Sequence, residues 1–351
     1  MPAVDWQAEL AALKTLSADI GNDPLLTQGA GGNTSLKVDG TLWIKASGTW
    51  LAHATERDIM VPVEMAPLVA AVEAVDPAAE QAQQFVVTEL NGSGLRPSIE
   101  TTVHALMPHR VVLHVHCVDT IAFAVRSDCA EQVGPRLKGL NWSCVPYARP
   151  GLPLALAIAE HSGNRPDVLV LANHGLVVGG ETVKEAAALL ADVKARLRIV
   201  PRMATTPDLD ELARLTAGSD YRLPHSEVAH GVATDAQSTA LAAQGSLYPD
   251  HVIFLGAGSV IAKGNEDAAA VVKRMGTAPV AIVFPGIGIL MRGDAVPGAD
   301  AMARCLADVL ARIPADAPVR MLTEEEHRQL TGWDAEKYRQ ELARRAQKKI
   351  A

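Results

Sequence analysis

Residues 111–116 read Val111-Val112-Leu113-His114-Val115-His116, four apolar residues and two histidines. A short apolar run of this kind predicts a buried β-strand. Because successive side chains of a strand point to opposite faces, His114 and His116 would share one face, about 7 Å apart along the strand. Two neutral imidazoles in this arrangement can bind one divalent ion. The alternative is a pair of ordinary histidines at a strand end, so the decision depends on further ligands elsewhere in the chain.

A third histidine lies between two other apolar runs. Residues 167–172 predict a buried strand, residues 176–180 predict a second strand, and Asn173-His174-Gly175 forms the turn between them. A polar side chain at such a turn more often faces a site than the core. His174 is therefore a candidate for the third ligand.

The predicted helix that leads into residues 111–116 carries an acid and an imidazole. Ser98 is a suitable N-cap, and Glu100 falls in the first turn, where the helix dipole favours a carboxylate. Glu100 and His104 are four residues apart and share one face of the helix. The pair either faces a site or forms a contact on the helix surface. The short connection to the histidine-containing strand favours the site.

Two glycine-containing segments, joined by a predicted hairpin, are candidates for an anion site. They read Gln28-Gly29-Ala30-Gly31-Gly32-Asn33-Thr34-Ser35 and Lys45-Ala46-Ser47-Gly48-Thr49. Backbone N–H groups next to glycine, together with Asn, Ser and Thr side chains, can hold a phosphate without a full positive charge. The alternative is that both segments are ordinary turns, and the pattern favours neither interpretation.

The composition excludes several classes of protein. The chain has 351 residues, of which 48% are hydrophobic and 21% charged, as in globular proteins of one or two domains. The formal net charge of -8 argues against a nucleic-acid partner. No apolar run reaches the about 20 residues of a membrane span. The N-terminus does not have the pattern of a signal peptide, and the four cysteines are scattered, which together predict a reduced, cytoplasmic protein.

A break in the pattern around residues 201–207 divides the chain into predicted domains at 1–203 and 204–351. In the second domain, strands are expected at 251–255 and 280–284. Helices are expected at 237–243, 266–275, 298–313, 323–330 and 334–345. The alternation predicts a smaller C-terminal α/β domain.

Taken in order, the motifs resemble those of the class II aldolase/adducin family. The resemblance covers roughly residues 5–200, and residues 201–351 are similar to the extension in the aldolase portion of long rhamnulose-phosphate aldolase/dehydrogenase proteins. The motifs that carry it are Gly31-Gly32-Asn33-Thr34-Ser35, Lys45-Ala46-Ser47-Gly48, Ser98-Ile99-Glu100, His114-Val115-His116 and Asn173-His174-Gly175.

The resemblance implies a fold and a site. The fold would be a three-layer αβα domain with a mixed, largely antiparallel central sheet. The metal, usually zinc, would be bound by His114, His116 and His174, with Glu100 as the catalytic acid/base. The residues that match the family's phosphate-binding positions are Asn33, Ser47, Gly48 and Ser98. Members are commonly tetramers, and some use a catalytic tyrosine, for which Tyr147 is a candidate here and loop packing is its alternative.

The predicted function is that of a zinc-dependent, or other divalent-metal-dependent, aldolase-type lyase. It would cleave a carbon–carbon bond in a ketose phosphate or a related sugar acid through an enediolate, because three imidazoles leave positions on the metal open for substrate. The same intermediate also serves sugar-phosphate epimerases and decarboxylases, which are the first alternative. The second alternative is a non-catalytic, adducin-like binding module.

Overall fold

The structure is a computed structural model, and it describes residues 5–161, 163, 165–333 and 342. The chain forms two compact units. The first comprises the residues up to Ala124 together with Asp128–Arg198, and the second comprises Val125–Ser127 together with the residues from Ile199 onward. The domain boundary at 203/204 remains a prediction. In the part of the chain that the structure describes, no helix combines the length and the apolar character needed to cross a bilayer.

The first unit is built on a seven-stranded sheet. Its strands are β1 (Asn33–Val38), β2 (Thr41–Lys45), β3 (Met60–Glu64), β4 (Val111–Val115), β5 (Trp142–Val145), β6 (Val168–Leu171) and β7 (Gly175–Gly180). They lie in the order β3-β2-β1-β4-β7-β6-β5. Neighbouring strands are antiparallel except β5 and β6, which are parallel. The expected mixed, largely antiparallel sheet is confirmed.

Helices cover both faces of this sheet. They are α1 (Trp6–Asn22), α2 (Met65–Glu73), α3 (Thr101–Leu106), α4 (Val118–Ala124), α5 (Cys129–Val133), α6 (Leu152–His161) and α7 (Val183–Arg196). The apolar face that includes Val112 and Val177 packs with α2, α3 and α6 in one core cluster. α1, α4 and α7 contact strands β1, β4 and β7. Burial of these apolar side chains on both faces is what stabilises the layered arrangement.

The helix before β4 is shorter than the sequence predicts. It begins at Thr101 with Glu100 as its N-cap residue, whereas the sequence places Ser98 at the cap and Glu100 in the first turn. The Ser98 hydroxyl still accepts a hydrogen bond from the Glu100 backbone N–H, at 3.2 Å. Ser98 therefore closes a turn of its own ahead of the helix, which is a common alternative use of serine.

The second unit has its own sheet of four short strands. These are β8 (Tyr221–Arg222), β9 (Val260–Ile261), β10 (Ala281–Phe284) and β11 (Gly288–Arg292), in the order β8-β11-β10-β9. Its helices are α8 (Leu209–Leu215), α9 (Gly231–Thr234), α10 (Ala236–Ala242), α11 (Pro249–Leu255), α12 (Ala268–Met275), α13 (Pro297–Leu310) and α14 (Glu324–Gly332). The additional C-terminal α/β region is confirmed. The helix predicted over 334–345 lies, apart from residue 342, outside the described residues.

One predicted strand of the second unit is wrong. Residues 251–255 belong to helix α11, which has Pro249 in its first turn and ends at Gly256 with φ of 101°. Most of its residues are buried, including Val252 and Phe254, so the segment is apolar on nearly all sides. Periodicity cannot distinguish a short buried helix from a buried strand, and here the proline at the start and the glycine after the end mark a helix.

Candidate metal centre

The strand β4 places His114 in the middle of the sheet. β4 pairs with β1 on one side and with β7 on the other, so that Asn33 and Val177 lie directly opposite His114. His114 follows Val112 by two residues and therefore points to the same face of the sheet, the face covered by α3. His116, just beyond the end of β4, is two residues further on. Both imidazoles are buried, with 1% and 7% of their residue surfaces exposed.

The turn between β6 and β7 brings the third imidazole to the same place. Asn173 has φ of 51°, a left-handed conformation that asparagine tolerates better than most residues. A Cβ atom on Gly175 would lie 2.6 Å from the Val115 carbonyl oxygen, so the close approach of this turn to β4 requires glycine. The ring centroid of His174 lies 4.9 Å from that of His114 and 5.3 Å from that of His116.

The three histidines form a set that could hold a metal ion. Each offers one ring nitrogen, and these nitrogens lie within 4.8 Å of one another. Both ring nitrogens of His114 are buried without a hydrogen-bond partner among the described residues. A buried polar atom normally has such a partner, and a bound ion would supply one for the nitrogen that it contacts. The residues present therefore fit a divalent ion.

Glu100 lies beside this set. Its Oε2 atom is 3.4 Å from His114 Nε2, and its Oε1 atom is 3.3 Å from His174 Nε2. Burial would raise the pKa of the Glu100 carboxyl, but the nearby His114, His174 and His116 and a hydrogen bond from Asn33 outweigh it and lower the pKa to about 2. Burial lowers the pKa of His114 well below its ordinary value, against the opposing effect of Glu100. The neutral imidazole is the form of histidine that binds a metal ion.

A hydrogen-bond network behind Glu100 fixes the orientation of its side chain. The Asn33 amide nitrogen donates to Glu100 Oε2 at 2.8 Å and to the Ser98 hydroxyl at 3.1 Å. Its amide oxygen is hydrogen-bonded to Nε2 of His104, whose Nδ1 lies 2.7 Å from the Ser35 hydroxyl. Since the Asn33 oxygen can only accept, His104 Nε2 carries the hydrogen and Nδ1 accepts from Ser35.

The role of His104 in this network was only partly predictable. The sequence places Glu100 and His104 on one face, and both are buried in the structure rather than exposed on the helix. The sequence contains a signal for the hydrogen bonds of His104 with Asn33 and Ser35. These two residues are two apart along β1, so both side chains point to one face of the sheet. The distance of 71 residues between Asn33 and His104 hides their contact from any local pattern.

The segments proposed for anion binding are next to each other. The Ser47 N–H donates to the Arg96 carbonyl and the Ser98 N–H donates to the Lys45 carbonyl, at 2.9 and 3.0 Å. Lys45 is buried, and its ammonium group donates to the carbonyl oxygens of Ala30 and Gly32 at 2.9 and 2.8 Å. The lysine thereby holds the glycine-rich loop against the end of β2.

The predicted anion-binding residues differ in their immediate surroundings. Asn33 and Ser98 are hydrogen-bonded to each other. The Ser47 hydroxyl is buried and has no hydrogen-bond partner among the described residues. Gly48 has φ of 73°, which favours glycine. Tyr147, the candidate catalytic tyrosine, is half-buried in the segment between β5 and α6, and its catalytic role remains a prediction.

Comparison with known proteins identifies the family. The model of the family "Class II Aldolase and Adducin N-terminal domain" matches residues 18–200, more than half of the chain. The chain belongs to this family.

Two curated relatives are each similar to about half of the chain. L-fuculose phosphate aldolase of Methanococcus vannielii is 32% identical over 163 residues, which cover 45% of this chain and 77% of that protein. The uncharacterized oxidoreductase YuxG of Bacillus subtilis is 31% identical over 198 residues, which cover 50% of this chain. The match spans 28% of the length of YuxG.

Solved structures of the family resemble the chain over about half of its length. One is the N-terminal class II aldolase domain of a conserved protein from Thermoplasma acidophilum, with 28% identity and a TM-score of 0.46 over 53% of this chain and 90% of that chain. Another is YgbL of Klebsiella pneumoniae, described as a putative aldolase/epimerase/decarboxylase, with 22% identity and a TM-score of 0.43 over 55% of this chain and 87% of that chain.

Proposed function

We propose that this chain is a zinc-dependent lyase of the aldolase type that cleaves a carbon–carbon bond in a ketose phosphate or a related sugar acid. The observation that carries the proposal is the convergence of three buried imidazoles beside one carboxylate, with Glu100 within 3.4 Å of His114 and His174. A divalent ion bound there would polarise the substrate carbonyl and stabilise negative charge on its oxygen. The relative named L-fuculose phosphate aldolase supports a sugar phosphate as substrate.

Glu100 is the proposed acid/base. Its Oε2 atom accepts a hydrogen bond from Asn33, whereas its Oε1 atom has no hydrogen-bond partner among the described residues. Oε1 is therefore the atom that takes up the proton lost when the enediolate forms and returns it when the ketone is regenerated. The hydrogen bond from Asn33 keeps the carboxylate oriented during both transfers.

Asn33, Ser47, Gly48 and Ser98 are the proposed phosphate-binding residues. The buried Ser47 hydroxyl has an unused donor, and the backbone around Gly48 can approach a ligand closely because no Cβ stands in the way. A neutral donor such as the Ser47 hydroxyl can bind a phosphate without an ion pair that would compete for the Glu100 carboxylate.

A retro-aldol screen tests the proposal. Purified protein is loaded with zinc and incubated with a panel of ketose phosphates and sugar acids, and the released aldehyde is measured. We expect about one metal ion per chain and turnover of at least one substrate. His114→Ala should lose both, because it removes the central ligand. His161→Ala, at an exposed histidine of the same unit, is the matched control and should retain both.

The outcomes also separate the alternatives. Epimerised sugar phosphate or released carbon dioxide, without aldehyde, would identify an epimerase or a decarboxylase acting through the same intermediate. A protein that retains no divalent ion after purification in weak chelator and turns over nothing would identify a binding module. An active His114→Ala variant free of metal would contradict metal-dependent catalysis altogether.

We further propose that the chain acts as a cytoplasmic homo-oligomer, with a tetramer as the favoured state. This assembly follows from the resemblance to the class II aldolase/adducin family, whose members are commonly tetramers. Light scattering of the purified full-length chain measures its mass directly. A monomer over the concentration range used for the activity screen would contradict the proposal.

A further inference from the structure

A cavity of about 350 Å³ in the first unit has two positively charged residues in its lining, Lys37 and Arg165. Lys37 is four residues beyond Asn33 along β1, which corresponds to about 13 Å in a strand, so the cavity is separate from the candidate metal centre. Small-molecule sites have volumes of about 300–1,000 Å³. The cavity is therefore large enough for a small ligand.

The ammonium group of Lys37 lies at the C-terminal end of α3. It donates hydrogen bonds to the carbonyl oxygen of Ala105, at 3.3 Å, and to that of Met107. Carbonyl oxygens at a helix C-terminus repel an anion, but here the positive charge of Lys37 is bonded to them. An ammonium group has three hydrogens, so one is left for a ligand.

The positive charges at the cavity are not neutralised by an ion pair. No carboxylate among the described residues forms an ion pair with Lys37 or Arg165. Burial lowers the pKa of Lys37 to about 8, and the opposing effect of Glu181 is smaller. Arg110 adds a further positive charge nearby, since its Nε donates to the Lys37 carbonyl at 3.3 Å. A bound anion would offset the cost of burying the Lys37 charge.

Arg165 supplies a group that suits a carboxylate. Its planar guanidinium can donate two parallel hydrogen bonds to the two carboxylate oxygens. The backbone of Arg165 has φ of 49°, a left-handed conformation that is uncommon for arginine, and its carbonyl accepts a hydrogen bond from the Asn141 side chain at 3.1 Å. Asn141 thus helps to fix the backbone from which the guanidinium extends.

The other residues that line the cavity are apolar. They are Met65, Ala105, Leu106, Met107 and Pro108. Met65, Leu106 and Pro108 are only half-buried, so part of their apolar surface is open to a ligand. Covering this surface with an apolar group would be favourable, which distinguishes the cavity from a site for a bare inorganic anion.

We propose that this cavity binds a small organic carboxylate with an apolar body. The carboxylate would contact Lys37 and Arg165, and the apolar body would cover Met65, Leu106 and Pro108. The site is separate from the three histidines, and the proposal does not depend on the proposed lyase activity.

Protection of Lys37 from acetylation tests this assignment, with benzoate as the probe. The full-length, metal-loaded protein is treated with acetic anhydride with and without benzoate, digested, and analysed by mass spectrometry. At twice its Kd, benzoate should slow the acetylation of Lys37 about threefold, because the unoccupied fraction falls to about one third. Lys138, an exposed lysine of the same unit, should react equally with and without benzoate.

Two further probes separate the contributions of charge and apolar surface. Benzyl alcohol has the ring without the charge, and inorganic phosphate has a charge without the ring. Both should protect Lys37 less than benzoate does at the same concentration. Equal protection by benzyl alcohol, stronger protection by phosphate, or no protection by benzoate would overturn the proposal.

A variant at Arg165 tests its role in the site. Arg165→Asn removes the guanidinium and keeps a residue that tolerates a positive φ, and it should weaken benzoate binding about tenfold or more. Arg198→Asn, at another exposed arginine of the same unit, is the matched control and should bind benzoate as the wild type does. Unchanged binding by Arg165→Asn would contradict the proposal.

The metal centre is the competing location for a carboxylate. His114→Ala should therefore keep the protection of Lys37, because the cavity does not include the histidines. Protection that is lost in His114→Ala and kept in Arg165→Asn would place benzoate at the metal centre and overturn the proposal. The comparison of the three probes on wild-type protein stands even if a variant folds poorly.

Discussion

The orientation of Glu100 depends on side chains that do not touch the three histidines. His104 donates to the Asn33 amide oxygen, and Asn33 in turn donates to Glu100. The carboxylate can only accept, so the NH2 end of Asn33 faces Glu100, and His104 holds the amide in this orientation through its oxygen. Burial lowers the pKa of His104 to about 3, which keeps the ring neutral.

Replacing His104 should therefore impair turnover more than metal binding. In His104→Leu the buried Asn33 oxygen loses its donor, which costs about 1–3 kcal/mol, and the amide can rotate away from Glu100. We expect kcat to fall about tenfold or more, with the metal content within error of wild type by elemental analysis. His104→Gln supplies an amide donor and should recover part of kcat. Equal kcat in wild type and His104→Leu would contradict the positioning role.

The sequence predicts the residues around the metal centre better than the contacts that hold them. Strand alternation alone predicts that His114 and His116 share one face, and the position of His174 at a turn between apolar runs makes it a candidate for the same site. The place of Glu100 shortly before β4 makes it a candidate as well, although α3 begins at Thr101 and not at the predicted residue. The hydrogen bond between His104 and Asn33 joins two elements, and no local rule contains that information.

At the scale of elements, the position of His174, the third histidine of the candidate metal centre, depends on the turn between β6 and β7. Gly175 pairs with Leu171 and lies against β4, where the Val115 carbonyl leaves no room for a Cβ atom. The same Cβ would lie 3.5 Å from the ring of His116. The positions of His174, which lies in this turn, and of His116, which lies against it, therefore both depend on the backbone at Gly175.

A methyl group on Gly175 should disturb both stability and metal binding. Gly175→Ala forces β7 away from β4, and we expect the free energy of unfolding to fall by about 1–3 kcal/mol. We also expect zinc to dissociate more readily, because His174 and His116 move apart. Gly92→Ala is the matched control, since a Cβ there meets nothing within 4 Å. Urea unfolding and competition with a zinc chelator measure the two effects, and a Gly175→Ala variant that matches Gly92→Ala in both would contradict this account.

Segment type was harder to predict in the second unit than in the first. The strand expected at 251–255 is helix α11, whereas the strand expected at 280–284 is β10 within one residue. Both segments are short and apolar. Pro249 marks the first as the start of a helix, whereas the second is a strand because it pairs with β11. Pairing partners are distant in sequence, so short apolar segments are the least certain part of such a prediction.

At the scale of the whole molecule, each unit buries histidines within its own core. In the first unit they surround the candidate metal centre. In the second unit His251 is fully buried on α11, and its Nδ1 atom accepts a hydrogen bond from the Leu247 N–H at 3.3 Å. The ring lies 5.8 Å from that of Tyr248. His251 therefore has a structural role in which the neutral ring is required.

This burial should make the protein lose stability in mild acid. Burial, with a smaller contribution from His327, lowers the pKa of His251 to about 3, whereas the unfolded chain has the ordinary value of about 6.5. Between these values the unfolded state binds more protons, so the free energy of unfolding falls as the pH falls, by at most about 1.4 kcal/mol per pH unit.

His251→Asn keeps an acceptor for Leu247 but does not titrate. Between about pH 7.5 and about pH 5 its loss of stability should be smaller than that of the wild type by about 2 kcal/mol in urea unfolding. His104 is present in both proteins, so its effect cancels in this difference. Equal losses of stability in wild type and His251→Asn would mean that the folded protein does not keep the His251 ring neutral at about pH 5.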